Sequence, residues 1–181
     1  MDMSQIAEGA ARECCAGSVI EDGLIRPVIC RGNEMSDNRY DGLKLENQVC
    51  FPLYAASREV IKQYRPYLDP LDLTYTQYIA MMVFWSEKKI NVKALGEKLF
   101  LDSGTLTPVL KSLESKGYVK RYRSREDERV LMVEITREGE ALKEKAVDVP
   151  AQMANCVNLN PEDAMQLYTL LYKLIGTLHK D

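Results

Sequence analysis

Sulfur is the chemistry this sequence offers most openly. Five cysteines stand at positions 14, 15, 30, 50 and 156, and the single histidine, His179, lies near the C-terminal end. The count is odd and no CxxC pair occurs, which makes a poor zinc inventory, so neither metal nor cofactor is expected. A free cysteine in a reducing compartment ordinarily packs as a small hydrophobe. The thiolate is the form that acts as nucleophile and disulfide partner. Cys50 is the thiol with a patterned setting: it falls inside "LENQVCFPLYAASREVIKQY" (45–64), where an amphipathic helix would carry leucine or valine. Cys14, Cys15 and Cys30 fall in a poorly patterned tail and receive no role.

The elements around these residues follow from composition and period. A chain of 181 residues with 46% hydrophobic residues buries one good core, which points to one domain with extensions. It has neither an uninterrupted apolar run of about 18 residues nor the basic-then-apolar layout of a signal peptide, so a cytoplasmic protein with no membrane partner is expected. Residues 1–42 hold no sustained period and are read as a poorly structured extension, with Met35 a candidate physiological start. The folded domain is assigned to 43–181.

From Leu45 apolar residues recur at helical spacing and predict a helix of roughly 20 residues ending near Pro66. Pro52 interrupts it, so the helix either starts near Phe51 or kinks. In the first case Cys50 lies at a helix N-terminus, where partial positive charge favours the thiolate. Thr74 caps a second helix. Two short amphipathic pieces follow, at 91–100 and 102–117, the latter capped by Asp102 or Ser103 and stopped by Gly117. Two short helices across a tight turn suggest a helix-turn-helix. "YVKRYR" and "RVLMVEIT" then read as two strands joined by a charged tip at 124–129, a two-stranded wing. Thr136 and "NPED" at 160–163 each start a further helix, and the last helix carries more apolar residues than one packed face needs. The fold expected is mainly α with a small β-wing: a winged helix-turn-helix with its DNA-binding lobe at about 74–136. Helices at about 44–68 and 137–180 would form a homodimer.

Charge gives this lobe a partner. The chain carries a net charge of −3, yet "KGYVKRYRSREDER" (116–129) holds six basic and three acidic residues. The helix from Ser103 would enter the major groove of double-stranded DNA. It presents Ser103, Thr105, Thr107, Pro108 and Lys111 toward phosphates or base edges. Arg123, Arg125, Asp127 and Arg129 belong to the wing, with Arg129 suited to the narrower minor groove.

Over about three-quarters of its length the chain resembles the MarR family of dimeric winged-helix regulators, and Asp127-Glu128-Arg129 resembles that family's wing signature. "LENQVCFPLYAASRE", "LDLTYTQY", "LDSGTLTPVLKSLESKG" and "EDERV", in that order, resemble its OhrR-like branch of organic hydroperoxide sensing repressors. The resemblance implies a non-enzymatic repressor that binds a pseudo-palindromic operator as a dimer and is released by an organic hydroperoxide. It makes Cys50 the redox sensor and Tyr54, Tyr64 and Tyr75 the residues contacting its thiolate, some of them from the partner subunit. Cys156 is the candidate resolving cysteine for a two-cysteine mechanism that closes an intersubunit disulfide, the alternative being a one-cysteine mechanism resolved by a small thiol. Two positions depart from the pattern: Pro52 near the sensor, and Ser112, which follows Lys111 where relatives often carry a second basic residue. Two competing readings are a MarR-type repressor answering to a small aromatic or anionic ligand, and a thiol peroxidase using Cys50 and Cys156.

Overall fold

In the computed structural model, described for residues 16–21, 24–29, 40–156 and 159–179, two units divide the chain, Met1–Val60 and Ile61–Asp181. Cys14, Cys15, Cys30 and Met35 lie outside the described residues. In the first unit β1 (Ala16–Glu21) pairs antiparallel with β2 (Leu24–Ile29), a hairpin that the sequence reading did not anticipate. Short 3-10 turns at Asp41–Leu43 and Leu45–Asn47 lead into α1 (Cys50–Gln63). The helix therefore begins later than its apolar period suggested, with Leu45 and Val49 outside it. Pro52 is its third residue, within the first turn, where an N–H would lack an intrahelical acceptor anyway. Of the two readings of Pro52, the structure takes the start rather than the kink.

The second unit is built from nested caps. α2 (Arg65–Leu68) opens with Pro66 in its first turn, and Thr74 caps α3 (Tyr75–Glu87) through a reciprocal box with Gln77. β3 (Lys89–Asn91) follows, then Asn91 caps α4 (Val92–Leu99). Asp102, rather than Ser103, caps α5 (Ser103–Ser115), and Gly117 ends that helix with φ +77. The wing strands are β4 (Val119–Arg123) and β5 (Leu131–Ile135). β5 lies between β3 and β4, with Val133 opposite Ile90 on one side and Arg121 on the other. The sheet thus has three strands where the sequence suggested two, because Lys89–Asn91 is too short to show a period of two. Thr136 caps α6 (Arg137–Ala146), followed by α7 (Val149–Cys156) and α8 (Pro161–Leu178) under Asn160.

The core sits where these elements meet. Met81 and Phe84 of α3, Leu95 of α4, and Leu106, Leu110 and Leu113 of α5 are fully enclosed with Val119 and Val133 of the sheet. The Trp85 indole N–H donates to the Gly139 carbonyl at 2.8 Å, tying α3 to the first turn of α6. Gly139 has no room for a side chain, since a Cβ would lie 2.2 Å from the Tyr118 carbonyl oxygen. α1 and α8 contribute no buried residue. Their apolar side chains, Phe51 and Leu53 on one and Leu167, Leu170 and Leu174 on the other, stay exposed. Among the described residues no helix is long and apolar enough to cross a membrane.

Candidate redox and nucleic-acid interface

Cys50 is the first residue of α1 and is exposed, its thiol unbonded. One turn later, Tyr54 accepts a hydrogen bond from the Arg58 guanidinium at 2.7 Å, while the guanidinium carbon lies 5.5 Å from the ring centre. Accepting through its oxygen leaves the Tyr54 O–H proton available to another acceptor.

Tyr64 and Tyr75 belong to the second unit, and the structure brings them together, ring centres 4.8 Å apart. Tyr78 completes the cluster at 6.0 Å from Tyr64 and continues it to Trp85 at 6.2 Å. Tyr78 is a site residue that the motifs did not single out, although its spacing of three from Tyr75 places both on one helix face. Burial pushes all three phenols above their ordinary range, with neighbouring phenols adding to the effect on Tyr75 and Tyr78. Each therefore remains a protonated donor at neutral pH.

Cys156, the last residue of α7, is also exposed, and its sulfur lies 3.3 Å from the Tyr67 hydroxyl. That contact raises the Tyr67 phenol. Tyr67 was missed from sequence, because a tyrosine 89 positions from its sulfur partner shares no local period with it.

The wing and α5 form the second half of the candidate site. Asp102 caps α5 through both oxygens: Oδ1 accepts the Thr105 N–H and Oδ2 accepts the Thr105 hydroxyl, each at 2.9 Å. These bonds hold its carboxyl below the usual range. Thr107 donates its hydroxyl to the Ser103 carbonyl at 2.7 Å, so both threonines offer an outside partner lone pairs rather than protons. Ser103, Thr105, Thr107, Pro108 and Lys111 share exposure to solvent. Pro108, lacking an N–H, leaves the Gly104 carbonyl without its helical donor.

At the wing tip Asp127 shapes the turn: its Oδ1 accepts the Arg129 N–H at 2.9 Å. The Arg123 guanidinium donates to the Arg129 carbonyl at 3.0 Å. Arg125 and Arg129 stay exposed. Glu114 receives the Arg121 N–H and Nε–H, both at 2.9 Å, which locks α5 to β4 and draws the Glu114 carboxyl down. Ser112, the residue that departs from the family's basic pair, is half-buried, and its hydroxyl accepts the Gln77 amide N–H at 2.9 Å. Ser112 faces into the protein. Between α4, the first turn of α5 and the wing tip lies a groove of about 950 Å³, lined among others by Lys93, Asp102, Ser103 and Arg129.

Comparison with known proteins agrees with this architecture. Residues 62–146 match the family described as transcriptional regulator SarA/Rot. The organic hydroperoxide resistance transcriptional regulator of Bacillus subtilis is 50% identical over 144 residues, 80% of this chain and 98% of that protein. The structure of reduced AbfR of Staphylococcus epidermidis bound to DNA superposes with a TM-score of 0.62 at 32% identity, covering 76% of this chain and 98% of that one. A disulfide-formed AbfR superposes at 0.53 with 34% identity, covering 74% and 93%.

Proposed function

The chain belongs to the MarR family of DNA-binding transcription regulators, not to an enzyme family, and we propose that it is a cytoplasmic repressor released from its operator by oxidation of Cys50. The observation that carries the proposal is an exposed thiol at the first residue of a helix, in a chain that also holds a winged helix with an ordered basic tip. The exposed sulfur gives a peroxide access. As thiolate it attacks one peroxide oxygen of an organic hydroperoxide. The O–O bond breaks, the alkoxide takes a proton and leaves as alcohol, and the sulfur is left as sulfenic acid. Tyr54, Tyr64 and Tyr75 are the phenols assigned to steady that thiolate by O–H donation.

The sulfenic acid is then attacked by the Cys156 thiol of a second copy of the chain, forming an intersubunit disulfide and releasing water. Support for this second step comes from Cys156's exposure and its Tyr67 contact, and from a relative whose structure is described as disulfide-formed. A homodimer through α1 and α8 is supported by their uncovered apolar side chains, which water leaves at a cost and a second copy would enclose. Two such lobes would read half-sites about one helical turn apart. On DNA, Lys111, Arg125 and Arg129 are assigned to phosphates and the wing groove, while Ser103, Thr105, Thr107 and Pro108 are assigned to the major-groove surface.

The test is a gel shift of the reduced protein on its own promoter region, with and without one equivalent of cumene hydroperoxide. Release of wild type but not of Cys50→Ser supports the sensor, and Cys156→Ser then separates disulfide from small-thiol resolution. Equal release of Cys50→Ser overturns it. The groove of about 950 Å³ beside α5 supports a second reading, a regulator answering to a small ligand. That reading predicts release of Cys50→Ser by a small aromatic acid without any oxidant.

A further inference from the structure

Gln77 is the only buried polar residue among the described ones, 6% exposed, and both ends of its amide are hydrogen-bonded. Its Oε1 accepts the Thr74 N–H at 3.1 Å and the Lys116 ammonium at 3.3 Å. Its Nε2 donates to Ser112 Oγ at 2.9 Å, across 35 positions of chain. Lys116 in turn reaches the Asp72 carbonyl and, at 3.2 Å, the Asp72 carboxylate. The turn leading into α3 is thus pinned to the C-terminal half of α5 by directional bonds, beside the packing of its enclosed leucines. A buried amide resists displacement as well, because each lost bond leaves an unsatisfied group.

The same cap connects to the tyrosines. Tyr75 is the residue directly after Thr74, and its half-buried ring packs on Tyr64. A displacement of the Tyr75 ring bears on the Thr74–Gln77 box, and through Gln77 on Ser112, the neighbour of Lys111. We infer that Gln77 is a positioning residue that couples the tyrosine cluster to the DNA-reading helix through Ser112. The inference rests on the sensor reading above. In the reduced protein the enclosed leucines of α5 already hold it in the register that DNA accepts, and the clamp is at rest. When oxidation moves the phenols, the clamp carries that movement to α5 instead of letting it dissipate in side-chain packing.

The experiment measures operator affinity of the full chain by fluorescence anisotropy, reduced and after one equivalent of cumene hydroperoxide, with Cys50 oxidation followed by mass spectrometry. Couplings of this kind usually span about 5–150-fold in affinity. Ser112→Ala removes the acceptor but leaves the capping box intact, and Gln77→Met removes both links. For each, the expected result is Cys50 oxidation at the wild-type rate, reduced-state affinity within about threefold, and an oxidised-to-reduced Kd ratio at least about tenfold smaller than wild type. Gln77→Glu should restore the ratio, since its carboxylate still accepts from Thr74 and Lys116 and can accept the Ser112 hydroxyl proton. A wild-type ratio in Ser112→Ala, with Cys50 oxidised, overturns the inference and leaves the sensor reading standing. If wild type itself stays on DNA with Cys50 oxidised, the sensor reading fails first and the inference falls with it. Should Gln77→Met not fold, Ser112→Ala decides alone.

Discussion

Asp127 was assigned to DNA contact from its place in the wing signature, yet a carboxylate facing a polyanion is repelled by it, and the structure gives Asp127 another task. Its Oδ1 accepts the Arg129 N–H at 2.9 Å and so fixes the backbone that carries the tip arginine. The two effects have opposite signs and can be separated. Removing the charge relieves a repulsion worth about 1 kcal/mol at 4 Å in water and less farther away. Removing the acceptor loses an exposed hydrogen bond worth about 1 kcal/mol, or about fivefold in Kd. Asp127→Asn removes only the charge, because its side-chain carbonyl can make the same turn bond. Asp127→Ala removes both, so wild type against alanine is uninformative while asparagine against alanine isolates the bond. Operator binding by fluorescence anisotropy should place Asp127→Asn tighter than Asp127→Ala by about fivefold, a gap that does not change with salt. The gap between Asp127→Asn and wild type should narrow as salt rises, since it is Coulombic. Equal affinity of the two variants would refute the turn-ordering role and reduce Asp127 to a charge.

Leu110 is 1% exposed at the heart of α5, so Leu110→Ala should cost about 2–5 kcal/mol in urea unfolding, the usual range for an enclosed leucine. Gly139→Ala would put a methyl 2.2 Å from the Tyr118 carbonyl oxygen, and thermal melting should show a loss, whereas Gly176→Ala, inside a helix with nothing within 4 Å, should show none. Glu114 is held below its ordinary value of 4.5 by Arg121, so the stability it adds is complete above about pH 4.5 and is lost as pH falls through the lower folded value. Unfolding measured from pH 7 to pH 3 should therefore show a smaller acid loss for Glu114→Gln than for wild type.

The readability of this chain divided along physical lines. Caps were legible because they depend on three or four consecutive residues: Thr74, Thr136 and Asn160 each stand where the side chain accepts from the N–H three residues on. The wing was legible from alternation in Leu131–Ile135, whereas β3, three residues long, has no period to show and takes its strand geometry from pairing with β5. The start of α1 was ambiguous in sequence because Pro52 is compatible with either a first turn or a kink, and only backbone placement separates the two. Contacts across long stretches of chain were illegible. Tyr67 with Cys156, Gln77 with Ser112 and Trp85 with Gly139 lie 89, 35 and 54 positions apart, and nothing in local pattern pairs them.

Local surroundings account for the departures from the family pattern at Pro52 and Ser112. A proline is costly where it deletes a backbone bond, and at the third position of α1 there is no bond to delete. Its ring fixes one backbone angle in the turn that carries Cys50, so the unfolded chain loses less freedom when that turn forms. A missing basic residue is costly where it faced phosphate, but the Ser112 hydroxyl is committed to Gln77 and faces inward. A lysine there would lose the Gln77 bond and leave its amide N–H without that acceptor. At both positions, then, the residue follows from its own surroundings: a helix start that tolerates proline and a hydroxyl that serves as the acceptor for Gln77.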